Sequence, residues 1–352
     1  MRQKNIFKKE FLELTGCIHI HSEHSYDCEI PLAKIIKNAK QTELDFITIN
    51  DHRNFGAKKD EVFLAEKDLC VIVGTEINDP ENNNHLLVFN SEKIRENEDA
   101  VVYTKSYQAE NAITFAAHPI EKRRSNKYRF YRWTDLENDN FNGLEIWNFL
   151  SSWIGKLMPK INGIFYVLCP AFFVRKPHRE ALNYWDKLNN EGKKRVAIGS
   201  IDAHTETIKI LGKKIRIVTH KMLFKTLRTN VLISKNAEIS ENSILKAIKN
   251  GNSYIVNHKV GNPYDFYAAI SNGQDKSAIF GENVQFENGL KFYFRLPKIA
   301  RINLFQNGKK IASQLDEKGF FEIDKSGNYR LEITYFGFGW IYTNNIYVKE
   351  KL

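Results

Sequence analysis

The chain has 352 residues with ordinary apolar and charged fractions of 42% and 27%. That is long enough for one large α/β domain and a small one, and it excludes a disordered or fibrous protein. Its net charge of +10 comes mostly from scattered lysines, with no zinc-finger spacing, RNP-like strand or basic arm. A small anionic substrate is therefore expected, and a stable nucleic-acid partner is not. The four cysteines show no CxxC pairing, which fits reduced thiols in the cytoplasm. The first residues lack the apolar core of a secretion signal. The apolar run 161–174 is too short, and too interrupted by Pro170, to span a bilayer.

In chain order, Leu14–His21 reads as a strand. Pro31 opens a helix with Leu32, Ile35, Ile36 and Ala39 on one face, ending near Leu44. Phe46–Asn50 and Val71–Thr75 read as the next strands, with Leu86–Phe89 a hairpin partner of the latter. Ile113–Ala117, Gly143–Trp147 and Val196–Ser200 follow, the last after a helix near Arg179–Asn190. Ser151–His178, with its aromatic residues, reads as a lid, a buried segment or a subunit contact. Ser240 caps a helix through Asn250 that Gly251 stops. From about Tyr264 the turn pairs Asn272-Gly273, Asn307-Gly308 and Ser326-Gly327 separate short alternating runs, the pattern of a β-sandwich. We place the boundary between residues 1–260 and 261–352. No pattern specifies an oligomeric state.

Polar residues recur where these strands end: His19 and His21, Asp51 and His52, Glu76, His118, Glu145 and Asn148, Asp202 and His204. In a (βα) barrel that end gathers the reactive groups, so the habit favours a barrel over an open sheet. Each piece alone is weak. His-x-His on a strand places two imidazoles on one face, but a structural role serves equally well. Together they are specific, because scattered surface histidines do not follow the strand register. Six of the ten histidines (His19, His21, His52, His85, His118, His204) lie at strand ends or in the adjoining hairpin, joined by the carboxylates Asp27, Glu76 and Asp202. Such a set suits Zn²⁺, Mn²⁺ or Fe²⁺.

Gly16-Cys17-Ile18-His19-Ile20-His21-Ser22, Ser25-Tyr26-Asp27, the segment ending Asp51-His52, Gly74-Thr75-Glu76, Ala117-His118-Pro119 and Gly199-Ser200-Ile201-Asp202-Ala203-His204 resemble the ordered motifs of the PHP (polymerase and histidinol phosphatase) superfamily. The helix before Gly251-Asn252-Ser253-Tyr254, followed by a β-sandwich, is similar to the carbaryl-hydrolase-like group. The resemblance implies an α/β fold, a distorted (βα)7 TIM-like barrel followed by a small all-β sandwich, with two or three divalent metal ions. It implies His19, His21, Glu76 and Asp202 around a first ion, and Glu76 bridging to a second held with His85 and His118. Asp27, His52 and His204 would then hold a third ion, or serve as catalytic substrate and proton-transfer groups. Asp51 is expected to orient a ring nitrogen from behind.

Lys122, Arg123 and Arg124, just after His118-Pro119, and Arg53 after His52 are candidates for gripping an anionic substrate, against the alternative of a solvated loop. His24 is an alternative ligand near Asp27. His178, His220 and His258 read as ordinary residues. The expected activity is hydrolysis of a phosphoric ester of a small metabolite or nucleotide by a metal-activated hydroxide. The alternatives are a carboxyl- or carbamate-ester hydrolase and a non-catalytic metal-binding scaffold.

Overall fold

The computed structural model describes residues 1–158, 170–210 and 213–350. The charged N-terminal run forms a hairpin that its sequence did not announce: β1 (Arg2–Ile6) pairs antiparallel with β2 (Lys9–Ile20). β3 (Phe46–Ile49) and β4 (Cys70–Val73) continue from β2 in parallel. Helix α1 (Leu32–Gln41) crosses from β2 to β3, and its buried face is the expected Leu32, Ile35, Ile36 and Ala39. The short α2 (Glu61–Ala65) precedes β4.

The βα alternation then fails. Gly74 leads straight into β5 (Thr75–Ile77), and a Cβ there would stand 2.4 Å from the Val88 carbonyl oxygen, so only glycine fits. β5 pairs antiparallel with β6 (Leu86–Phe89), and β6 pairs antiparallel with β7 (Ile113–Ala116). β7, β8 (Gly143–Asn148) and β9 (Val196–Ser200) are parallel. Helix α3 (Ala100–Ala109) joins β6 to β7, while α4 (Phe149–Ile154), α5 (Pro170–Phe173) and α6 (Arg179–Asn190) lie between β8 and β9. A separate hairpin follows, β10 (Glu206–Ile210) with β11 (Lys213–Val218). Then come α7 (His220–Leu223), β12 (Leu227–Ser234), α8 (Glu241–Asn250) and β13 (Ser253–Asn257). Ser240 accepts from the Ser243 N–H at the start of α8, and Gly251 ends it in the left-handed conformation at φ 81°.

β4-β3-β2-β12-β13 belong to one sheet and β5 to β9 form another, so no single ladder closes on itself. The sheets meet at two seams. At one, the Glu76 N–H donates to Asp51 O (3.2 Å) and the Arg53 N–H to Glu76 O (2.9 Å). At the other, the Ala203 N–H donates to His19 O (3.1 Å) and the His21 N–H to Ala203 O (2.9 Å). The regular (βα) repeat is interrupted at β5–β6–β7 by antiparallel strands: β5 and β6 form the expected hairpin, whose connection is too short for a crossover helix, and β6 and β7 are antiparallel although α3 lies between them.

The C-terminal strands are β14 (Tyr267–Ser271), β15 (Ser277–Ala278), β16 (Asn283–Gln285), β17 (Lys291–Gln306), β18 (Lys309–Glu322), β19 (Gly327–Tyr335), β20 (Phe338–Thr343) and β21 (Ile346–Lys349). They pair antiparallel except β16 with β21. They enclose a second apolar core around Phe266, Phe292, Ile302, Leu331 and Trp340, to which Ile6, Leu232, Tyr254 and Val256 of the preceding strands also contribute. β20 also pairs with β13, so one 14-stranded sheet runs through both parts of the chain. Asn344 fastens the junction: its Oδ1 accepts from the Ala197 N–H (2.7 Å) and its amide donates to Ala197 O and Ser253 O (3.0 Å each). Arg330 makes a buried two-pronged contact with Asp186 of α6 (2.9 and 2.7 Å).

Among the described residues no helix is long and apolar enough to cross a membrane. Residues 159–169 of the run read as a buried segment or lid lie outside the described residues. Its approach through α4 is core, with Phe149, Leu150 and Trp153 buried.

Candidate metal centre

The site begins with a break in β2. The register with β3 shifts between Cys17 and Ile20, and His19 takes φ 69°. This bulge re-aims a side chain that simple alternation would place differently. Thr48 of β3 repairs the bulge, its Oγ1 accepting the His19 N–H at 3.0 Å and donating to Asn50 Oδ1 at 2.7 Å. His118 (φ 31°) and Asp202 (φ 52°), each just past a strand end, are also left-handed. Three non-glycine residues in this sparsely populated region converge on one spot, where strain is held by the surrounding sheets.

Four donor atoms from three strand ends meet there. His19 Nε2 lies 3.1 Å from Glu76 Oε2 and 3.4 Å from Asp202 Oδ1. His21 Nε2 lies 3.3 Å from the same Glu76 oxygen and 3.5 Å from the same Asp202 oxygen. An ion holding four donors at roughly 2.0–2.2 Å sets them roughly 3.3–3.6 Å apart. The other Glu76 oxygen, Oε1, is 2.8 Å from His85 Nδ1 and 3.4 Å from His118 Nε2. His52 Nδ1 is 3.4 Å from Glu76 Oε2, and its Nε2 is 3.2 Å from Asp27 Oδ2. His19 with His21 and Glu76, His52 with Glu76 and His85, and His21 with Asp27 and His52 each bring donor atoms within 4.8 Å of one another. These are three overlapping groups sharing Glu76, His21 and His52.

Two nitrogens, His21 Nε2 and His52 Nδ1, are buried without a hydrogen-bond partner. A buried imidazole nitrogen left unsatisfied is costly in a neutral pocket and natural at a metal ligand. The donor set therefore fits two or more divalent cations.

Electrostatics agree. Burial works against charge on His19, but the carboxylates of Asp202, Glu76 and Glu145 outweigh it and hold its pKa well above the ordinary value. The same balance lifts His21 to about 10 and His118 to about 9. Glu76 and Asp202 are driven well below the usual carboxylate range: burial opposes this, but the surrounding imidazoles prevail. Asp27 is lowered in the same way, chiefly by His52 and His21. Burial lowers His85. Protons here stand where cations would.

The expected site residues divide sharply. His19, His21, Asp27, His52, Glu76, His85, His118 and Asp202 are brought together. His204 lies at the edge, Nε2 3.9 Å from Asp202 Oδ1 and Nδ1 3.6 Å from Glu206. Asp51 does not touch a ring nitrogen: both its oxygens are taken by Ser22, from the N–H at 2.6 Å and the hydroxyl at 2.7 Å, which pins the loop after His21. The orienting role falls to Glu145 instead, with Oε1 2.8 Å from His19 Nδ1 and Oε2 accepting from the His118 N–H at 2.8 Å. Asn148 completes it, donating to Glu145 Oε2 (2.8 Å) and Asp202 Oδ2 (3.2 Å). Their place at a strand end marked both residues, yet gave neither this role.

Among the basic candidates, Lys122 turns away to pair with Glu180 at 2.7 Å and lines a different cavity. Arg123 does line the metal cavity, with its guanidinium bonded to Glu121 (2.6 Å) and to backbone carbonyls. Arg124 does not line the metal cavity, and Arg53 sits 6.0 Å from the Tyr26 ring. The exposed cations that do line the mouth are Lys127 and Arg129, in a loop with no periodic pattern. His24 pairs with Asp60 at 3.1 Å, apart from Asp27. The cavity over the histidines measures about 330 Å³. A larger one of about 600 Å³, beside Phe63, Cys70 and Glu241, is lined by no histidine.

No family model matches the chain, and no curated protein matches it in sequence. Several solved structures resemble it remotely. A two-domain protein from Bacteroides vulgatus containing a predicted PHP-like metal-dependent phosphoesterase shares 16% identity, covers 95% of each chain and gives a TM-score of 0.46. A candidate metal-dependent phosphoesterase from Bifidobacterium adolescentis shares 13%, over 56% of this chain and 88% of that one, at 0.34. Endonuclease Q bound to a 27-mer duplex with an abasic lesion shares 15%, over 68% of this chain and 57% of that one, at 0.39. Likenesses this remote carry no functional argument.

Proposed function

We propose that the protein is a metal-dependent phosphoesterase of the PHP superfamily, with a distorted barrel in residues 1–260 and a β-sandwich in 261–352. The layout of α8, Gly251 and Tyr254 ahead of that sandwich favours the carbaryl-hydrolase-like group. The single observation that carries the reading is the quartet His19 Nε2, His21 Nε2, Glu76 Oε2 and Asp202 Oδ1, spaced as the ligands of one ion would be. His19, His21, Glu76 and Asp202 would hold a first divalent ion, and Glu76, His85 and His118 a second. Asp27, His52 and His204 would hold a third or remain proton-transfer groups. Zn²⁺, Mn²⁺ and Fe²⁺ all suit nitrogen and carboxylate donors. Ions bound there supply positive charge against a phosphoryl oxygen and a water acidic enough to ionise near neutral pH.

The chain's own residues do the rest. Glu145 and Asn148 fix the donors, and Lys127 and Arg129 meet the anionic substrate at the mouth. His204, partly open to solvent beside Asp202, is placed to give a proton to the leaving oxygen. Cys17, Cys28 and Cys70 are free thiols, in keeping with a cytoplasmic protein. The test is metal analysis of the purified protein with assays of p-nitrophenyl phosphate, bis-p-nitrophenyl phosphate and p-nitrophenyl acetate in Mn²⁺. Bound transition metal and phosphate-ester cleavage are expected, both lost in His19→Ala. Cleavage of the acetate alone overturns the phosphoesterase, and no bound metal overturns the enzyme.

A further inference from the structure

The wall of the cavity above the histidines carries tyrosine rings among its charged groups, and nothing in metal binding requires them. Tyr26 lies flat on His52, ring centroids 4.8 Å apart and planes 19° from parallel, yet its side of the mouth is open: it is 68% exposed. Tyr131, from the loop after His118, tilts against His85 at 5.3 Å and 59°. The two imidazoles beneath are themselves 5.9 Å apart. Two phenol rings from separate segments therefore stand over neighbouring candidate ligands and face one cavity, with Leu150 and Ile154 of α4 on the remaining side. An exposed aromatic ring held flat by a partner beneath it is an unusual surface feature for a protein that would otherwise bury it. The space, about 330 Å³, lies at the low end for small-molecule sites, roughly 300–1,000 Å³.

We infer that Tyr26 and Tyr131 form a slot for a flat aromatic leaving group, so that the substrate class is an aryl or heteroaryl phosphomonoester rather than an alkyl one. This rests on the phosphoesterase reading and narrows it. The phosphoryl group would point down toward the ions that Glu76 and Asp202 would hold, and the aromatic plane would lie against the exposed side of Tyr26, where Arg53 stands 6.0 Å from the ring, with Tyr131 as the second wall. Stacking of this kind selects for planarity, which a saturated ring of equal bulk lacks. The tyrosines are specificity residues: they touch the departing group and take no part in proton transfer.

The test compares two non-hydrolysable ligands of equal charge and closely similar size, benzylphosphonate and cyclohexylmethylphosphonate, on the metal-loaded protein. Affinities come from calorimetry, and ring-proton shifts of benzylphosphonate come from NMR. Benzylphosphonate is expected to bind about tenfold more tightly, as two aromatic contacts would give, with its ring protons shifted upfield. Tyr26→Ala should reduce the preference to near unity and remove most of the shift, while Tyr26→Phe keeps both. Equal affinities in the unaltered protein, or a preference that survives in the Tyr26→Ala, Tyr131→Ala double variant, overturn the slot. Failure of the underlying reading looks different: neither phosphonate binds and no phosphate ester, aryl or alkyl, is cleaved.

Discussion

Glu145 grips His19 from the side away from the site, its Oε1 2.8 Å from His19 Nδ1 while His19 Nε2 points at Glu76 and Asp202. The carboxylate fixes the tautomer that leaves Nε2 free to bind a cation and raises the basicity of that nitrogen. Glu145→Gln keeps the size and loses the charge. Metal affinity should fall by about 10- to 100-fold, the usual cost of losing such support, with the far-ultraviolet circular dichroism unchanged. Titration against a competing chelator measures it, and unaltered affinity would show that Glu145 is only packing.

Thr48→Val tests the bulge that aims His19. The substitution preserves shape but leaves the His19 N–H buried without its acceptor. That should cost about 1–3 kcal/mol of stability, read by urea denaturation of the metal-free protein. Metal affinity should fall as well, because the ring is no longer held at its angle. A change under a few tenths of a kcal/mol would mean the bulge relaxes.

Metal loading should release protons. Without metal, His21 titrates near 10 and His118 near 9, so both carry a proton at pH 7. Ligation needs neutral imidazoles. His19, also held well above the ordinary value, adds a third, so calorimetry in buffers of different ionisation enthalpy should find about three protons released per protein at pH 7, and affinity should climb with pH until about 9–10. The sign for folding is opposite. Both pKa values lie above the unfolded-state value near 6.5, so their contribution to the metal-free fold is complete below that pH. It is lost as pH rises through 9 and 10. A metal-free Tm that stays flat from pH 6.5 to 10 would contradict this balance.

His220 gives the reverse case. Burial lowers it to about 4, and its Nε2 donates to the His21 carbonyl at 3.0 Å, so it is neutral in the fold. The unfolded chain binds that proton first, near pH 6.5, so stability is complete above that and lost as pH falls toward 4, by up to about 3 kcal/mol. His220→Gln retains a donor and cannot titrate there. Its denaturation midpoint should decline less than that of the unaltered protein between pH 6.5 and 4.

Much of the site was legible because strand ends can be read from short apolar runs, and residue type at those ends is plain in the chain. His19, His21, Glu76 and Asp202 were found that way, and they converge. Roles were harder. Asp51 and Glu145 are both carboxylates at strand ends, and only the side each strand turns inward decides which one supports a ligand. The β5–β6 hairpin was legible in the short link before Leu86–Phe89, but the antiparallel step from β6 to β7 hid behind a preference for βα units, since a helix between two strands reads the same whichever way the second runs. Lys127 and Arg129 lie in an irregular loop where basic residues outnumber positions facing the cavity, so closeness to His118 and the guanidinium's fit to phosphate single out Lys122, Arg123 and Arg124, of which only Arg123 lines the cavity.

The Asn344 clamp has a consequence for shortened chains. It ties the last strands to β9, whose next residues lead into Asp202, and β20 covers the edge of β13. A polypeptide stopped at residue 260 would present β13 as a bare edge with unpaired amides, an invitation to join a second molecule. Nonsense lesions in the final quarter should therefore surface as inclusion bodies in the expressing cell, not as a smaller working enzyme.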